Sequence, residues 1–212
     1  MAWVYLQKTA SIKAELASLK NINIWLTLAV GAIGFGGMFS VYSYVSPILT
    51  EYTHTDIRIV PIALAIWGVG MVIGGLVSGW LADKSLFKTM IGILVSSALA
   101  FVLASFMMSN LYTAITALFL IGFTVIGLGG ALQTHLMDIA DDAQTLAASL
   151  NHSAFNLANA LGTFLGGWVL SHNMGWLAPI WVGFVLSLGG LAILLIALAY
   201  AKYTQKNQSA VS

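Results

Sequence analysis

The chain contains no cysteine. A disulfide framework, a thiol nucleophile and a thiolate metal site are therefore all excluded, and redox compartment leaves no trace. Charge is nearly as scarce: Asp, Glu, Lys and Arg make up 7% of 212 residues, against 59% hydrophobic ones. A soluble domain of this size carries about 25% charged residues to keep its surface wet. Eight basic and seven acidic side chains cannot cover such a globule, so most of the chain must be solvated by lipid or by other apolar helices. A net charge of +1 offers no basic footprint for nucleic acid. A secretory signal is not expected either, because Lys8 interrupts a short apolar start that no charged region precedes.

What is present is a series of long stretches free of charge. A helix needs about 20 mostly apolar residues to cross the hydrocarbon. The stretches predict six spans, near 24–49, 59–82, 88–107, 111–134, 146–170 and 177–200. Met108-Ser109-Asn110 divides the third from the fourth, and Ser171-His172-Asn173-Met174-Gly175 divides the fifth from the sixth. The expected fold class is thus an all-α membrane protein: residues 1–23 form a cytoplasmic amphipathic segment, 24–202 the transmembrane domain and 203–212 a cytoplasmic tail. Six spans put both termini on one side, with Lys8, Lys13, Lys20, Lys84, Lys88, Lys202 and Lys206, while the other side has only Arg58. By the positive-inside rule the lysine-rich side faces the cytoplasm.

Several patterns resemble chemistry without its context. Gly68-Val-Gly70 with Gly74 lies inside an apolar span, not between a strand and a helix, so it does not fit a dinucleotide fingerprint. Asn151-His152-Ser153 has glycan-acceptor spacing but falls within the fifth span. Ser78-Gly79 with His152 raises an intramembrane serine protease, yet a nucleophile and its base must first be within reach of each other. The histidines at 54, 135, 152 and 172 have no metal-ligand spacing. Asp141 with Gln144 reads as a variant capping box opening the fifth helix.

Two stretches are candidates for a binding wall. In the fifth span His152, Asn156, Asn159 and Thr163 recur at helical spacing on one face. Such a face avoids lipid and looks either into the bundle, as interhelical glue, or into a wet cavity, as a substrate wall. In the first span Phe35, Phe39, Tyr42 and Ser46 form an aromatic row suited to a mostly apolar ligand or to plain packing. Gln133 is a third candidate. Glycines four apart, at Gly70/Gly74, Gly75/Gly79 and Gly162/Gly166, predict close helix crossings. Gly34, Gly36, Gly37 and Pro47 predict a bendable first span.

These residues resemble the major facilitator superfamily, and in particular the C-terminal six helices of its drug–proton antiporter and sugar-efflux branch. Gly79-Trp-Leu81-Ala82-Asp83-Lys84-Ser-Leu-Phe-Lys88 is similar to the family's Gly-x-Leu-Ala-Asp-Arg/Lys-x-Gly-Arg-Lys loop, with Leu86 and Phe87 replacing the second glycine and the arginine. The fifth span, with Asn156, Ala160, Leu161, Gly162, Gly166 and Gly167, looks like the eleventh helix of these exporters. The resemblance implies a multi-pass protein of the plasma membrane, the inner membrane in a bacterium, that moves a small solute and needs no cofactor. Substrate would bind between two six-helix halves that rock about a midplane site. The first, second, fourth and fifth helices would line the cavity, and the third and sixth would face lipid. The partner implied is an N-terminal half, from the same gene or a separate one, or else a second copy. Alternatives are a truncated, inactive half or a non-transporting subunit.

Overall fold

The computed structural model describes residues 19–140 and 143–209. The expected amphipathic segment at 11–20 and the Asp141 cap lie almost wholly outside them. Among the described residues the regular structure is all helical: α1 (Ile22–Gly34), α2 (Gly36–Tyr42), α3 (Val60–Lys84), α4 (Leu86–Met107), α5 (Leu111–Val125), α6 (Gly127–Ile139), α7 (Gln144–Ser171) and α8 (Ala178–Ser209). Helices satisfy their backbone groups internally, which lipid requires. Their ends are set by local chemistry. The Asn21 and Asn110 side chains accept from the Asn23 and Tyr112 N–H groups at 3.0 Å, capping α1 and α5. Pro61 occupies the first turn of α3, where a missing N–H costs nothing. Asn173 (φ 56°) and Gly175 (φ 89°) turn the chain between α7 and α8.

The first span does bend. Phe35 only interrupts the helix, keeping φ −82° and ψ −19° between α1 and α2. The true break is at Tyr44 (φ −119°, ψ 13°), before a single turn at Val45–Pro47 and a π-helical turn at Ile48–Tyr52. Pro47 has no N–H to offer the Ser43 carbonyl one turn back, so the α-helical ladder fails there. The last helix runs on past Lys202 to Ser209.

Five stretches are long and apolar enough to cross a membrane: Ile22–Tyr42, Ile57–Lys84, Leu86–Met107, Leu111–Ile139 and Ala178–Thr204. The remaining long helix, α7, has 28 residues, but its asparagines, serines and His152 make it more polar than those five. Successive long helices alternate in direction. One end of the bundle, the lysine end, gathers the start of α1, the α3–α4 turn, the end of α6 and Lys202. At the far end Thr53 donates to the Met108 carbonyl at 2.8 Å.

The packing has an internal echo. The first span crosses α7 as the fourth (α5 and α6) crosses α3, and α4 lies against α8. Both crossings bring backbone against backbone. A Cβ added to Gly162 would collide with the Gly36 carbonyl, and one added to Gly74 with the Phe123 carbonyl. Phe35 packs against Phe155 with ring centroids 4.0 Å apart and planes tilted by 44°, where the second crossing lays Trp67 against Gly122. Equivalent contacts made by two three-helix units are the pattern of repeat-built transport bundles.

Gly74→Leu must force the α3–α5 crossing apart, at a cost of about 1–3 kcal/mol for overpacking. Gly92, with open space beside it, should accept alanine. Thermal unfolding of the detergent-solubilised chain should show a clear drop for Gly74→Leu and none for Gly92→Ala.

Candidate solute-binding face

The polar row of α7 is defined by what the opposite side of that helix does. Ala147, Ala154, Ala158, Gly162 and Gly166 are buried, because only small residues allow this approach to the first span. Turning them inward turns His152, Asn156 and Asn159 outward, and all three are exposed. Of the three, Asn159 is linked to the first span, through Thr163 and Ser43. The Ser43 and Thr163 hydroxyls are 2.8 Å apart, and Thr163 donates to the Asn159 side chain at 3.2 Å. The Tyr44 hydroxyl donates to the Thr163 carbonyl at 2.9 Å. These bonds join the polar row of α7 to the first span at Ser43 and Tyr44, beside the expected aromatic row.

The aromatic row does not behave as a single wall. Its members climb out of the bundle, from Phe35 at 0% exposure through half-buried Phe39 to Tyr42 at 50%. Phe35 is corrected to a packing residue, since its ring is sandwiched against Phe155 on the line where the first span meets α7. Phe39 stands edge-on to Phe155 at 6.2 Å and 85°, and both rings are half-buried.

Three further residues beside the candidate face did not stand out in the sequence. Phe155 lies next to Gly129, whose Cβ would come within 2.9 Å of its ring. Asn151 is 5% exposed, off the polar row, and its amide reaches the Gln133 side chain of α6 at 3.5 Å. Trp67 is 1% exposed, and its indole N–H has no partner among the described residues, while Tyr42 stands edge-on to its ring at 5.8 Å. An asparagine or tryptophan inside an apolar span was the available signal; the helix rotation that gives it meaning was not.

The loop-motif residues sit apart, at the lysine end. Gly79 and Asp83 border a cavity of about 240 Å³ with Ser78, Gly127, Gly130 and Thr134. Lys84 lies over the Trp80 ring, 3.2 Å from its centroid, a cation–π contact. Lys88 is exposed one turn into α4. The Ser78 hydroxyl donates to the Gly75 carbonyl at 3.0 Å and is packed against Gly127. That hydroxyl is engaged by its own helix.

Long helices, five stretches of them apolar enough to cross a membrane, with no strand among the described residues, define a multi-pass membrane protein. The chain belongs to the Major Facilitator Superfamily, whose profile matches residues 24–211. It is 34% identical to Inner membrane transport protein YdhP of Escherichia coli (strain K12) across 90% of this chain and 49% of that protein. It is 26% identical to the Chloramphenicol resistance protein of Streptomyces lividans, covering 80% of this chain and 43% of that one. A protein of Helicobacter pylori named "Probable sugar efflux transporter" is 26% identical, over 79% and 41% of the two chains. The chain spans about half the length of these relatives. Kinship of this kind points to a transporter rather than an enzyme.

The absence of native cysteine makes single-cysteine labelling direct. Asn156→Cys and Asn159→Cys should react with a water-soluble maleimide in membranes. Leu99→Cys, exposed on the apolar side of α4, and the enclosed Phe35→Cys should stay unmodified. Equal labelling at Leu99 and Asn156 would remove the distinction between a wet and a lipid-facing side.

Proposed function

We propose that the chain is the C-terminal six-helix half of an inner-membrane exporter of drugs, sugars or other small solutes. In this reading α7 is a sixth span, both termini are cytoplasmic, and Lys20, Lys84, Lys88 and Lys202 hold the lysine end inside by the positive-inside rule. The observation that carries the proposal is the exposed polar row of α7, with Asn156 and Asn159, joined through Thr163 to Ser43 of the first span. In a membrane helix such groups are costly against lipid and belong to a wet pathway. His152 and Gln133 extend this face toward the lysine end, and Phe39 with Phe155 supplies the apolar floor. The names of the relatives, an inner-membrane transport protein, a chloramphenicol resistance protein and a sugar efflux transporter, support the solute class.

No Asp or Glu falls within the apolar core of any span. Proton carriage therefore belongs to the other half, encoded with this chain or supplied separately. The cavity beside Asp83 and Gly130 then receives a helix of that half, with the carboxylate at its positive end. A second copy of the chain is the alternative partner.

Two measurements test this together. A tag placed at the C-terminus in the chromosome, followed by blotting of membranes, should give a band near twice the mass of this chain or reveal a co-purifying half. In that native form Asn156→Leu should weaken efflux of chloramphenicol or of a small sugar about fivefold, the value of one lost hydrogen bond, with protein abundance unchanged. If abundance or assembly falls while efflux per molecule stays constant, the polar face is interhelical glue and the transport reading of it fails.

A further inference from the structure

A second cavity, of about 400 Å³, opens at the lysine end and plays no part in the face described above. Four elements wall it: Asn23, Thr27 and Val30 from α1, Phe87 from α4, His135 and Ile139 from α6, and the stretch from Leu194 to Lys202 of α8. Thr27 and Val30 are on the side of α1 opposite Trp25, Leu28, Ala29 and Ala32, which border the groove toward α7. The cavity therefore lies behind the solute face, between the first, third, fourth and sixth spans.

Its chemistry is graded. The inner part is apolar, with Val30, Leu194 and Leu198. Toward the rim come Asn23, the imidazole of His135 with the Phe87 ring edge-on at 4.8 Å, and the Lys202 ammonium. Asp138 is exposed one turn along α6 and does not line it. The surroundings fix the depth. Tyr200 and Tyr203 are exposed on α8 on either side of Lys202, and Trp25 is exposed at the same end of α1. Aromatic and cationic side chains at the close of apolar runs mark the headgroup level of a bilayer. Beyond them α4 and α8 expose Leu99, Leu103, Leu195 and Ile196, a surface with no polar group to keep wet.

We propose that this cavity is a phospholipid site, holding the headgroup phosphate of an anionic glycerophospholipid against Lys202 and Asn23 with the start of an acyl chain along Leu194 and Leu198. A cationic rim over an apolar interior, at headgroup depth and between helices, matches such a lipid and not a freely soluble anion, which would gain nothing from the apolar part. Lys202 reaches the phosphate by extending its apolar stem along α8.

The test titrates the full chain in detergent with phosphatidylglycerol or phosphatidylcholine, counting bound lipid by native mass spectrometry. One phosphatidylglycerol should bind more tightly than phosphatidylcholine. Lys202→Gln should weaken that adduct about fivefold, the effect of one lysine near an anionic headgroup. Ala201→Phe, which fills the cavity without changing charge, should remove the adduct. Lys84→Gln, at the same end but over Trp80, should leave it unchanged. Equal affinity for the two lipids overturns the proposal, as does phosphatidylglycerol binding unaffected by both Lys202→Gln and Ala201→Phe. Displacement of the lipid by millimolar inorganic phosphate also overturns it, in favour of a soluble-anion site. Lys202 is exposed, so its variant should keep the unfolding midpoint of the parent; Ala201→Phe counts only if it does too.

Discussion

The bundle depends on places where helix backbones touch with nothing between them: Gly36 against Gly162, Gly74 against Phe123, and Gly34 against Gly190 where the first span meets α8. In lipid no hydrophobic drive holds helices together, because acyl chains are as apolar as leucine, so cohesion comes from van der Waals fit at short range. That fit fixes more than distance. Once Gly162 faces Gly36, the rotation of α7 is set, and Asn156 and Asn159 can only point away from the contact. Once Gly74 faces Phe123, Trp67 is turned inward against Gly122 and its indole N–H is enclosed. The polar face is thus a by-product of where the glycines are, and a larger side chain at Gly162 would rotate Asn156 and Asn159 along with the helix that bears them.

The same logic separates what was legible in the sequence from what was not. Breaks at Met108-Ser109-Asn110 and Ser171 to Gly175 were readable, since polar punctuation between apolar runs has a direct physical meaning. The shared face of His152, Asn156 and Asn159 was readable too, because it follows from the helical repeat alone. Helical repeat misled at Phe35: it shares a row with Phe39 and Tyr42, yet that row slants across the contact with α7, so one end is enclosed and the other open. The Ser43–Thr163 bond, the Asn151–Gln133 contact and the enclosure of Trp67 join residues far apart in the chain. Their pairing is decided by inter-helix rotation, which no single-helix pattern carries.

Polarity within the bundle is distributed economically. Serine and threonine hydroxyls mostly return to their own helix, as at Thr27, Ser78, Thr89 and Ser96. Of those that cross between helices, Ser40 to the Pro179 carbonyl and Ser97 to Ser187 are buried and tie α2 and α4 to α8, while the Ser43–Thr163 bond is exposed. Side-chain amides follow a different rule. Within the helices they gather on α7 and at the end of α8, with Gln133 of α6 facing Asn151, and α4 and the rest of α8 stay apolar along most of their outward length.

The two echoing crossings are not finished alike. At the far end, Gly166 and Gly167 make room for the Tyr44 ring, which fills the seam between the first span and α7 and is bonded to the Thr163 carbonyl. At the lysine end, the matching seam between α3 and α6 has Gly79 and Gly130 on its borders and stays hollow. A larger side chain at Gly166 would therefore have to displace the Tyr44 ring, whereas one at Gly79 or Gly130 would enter open space.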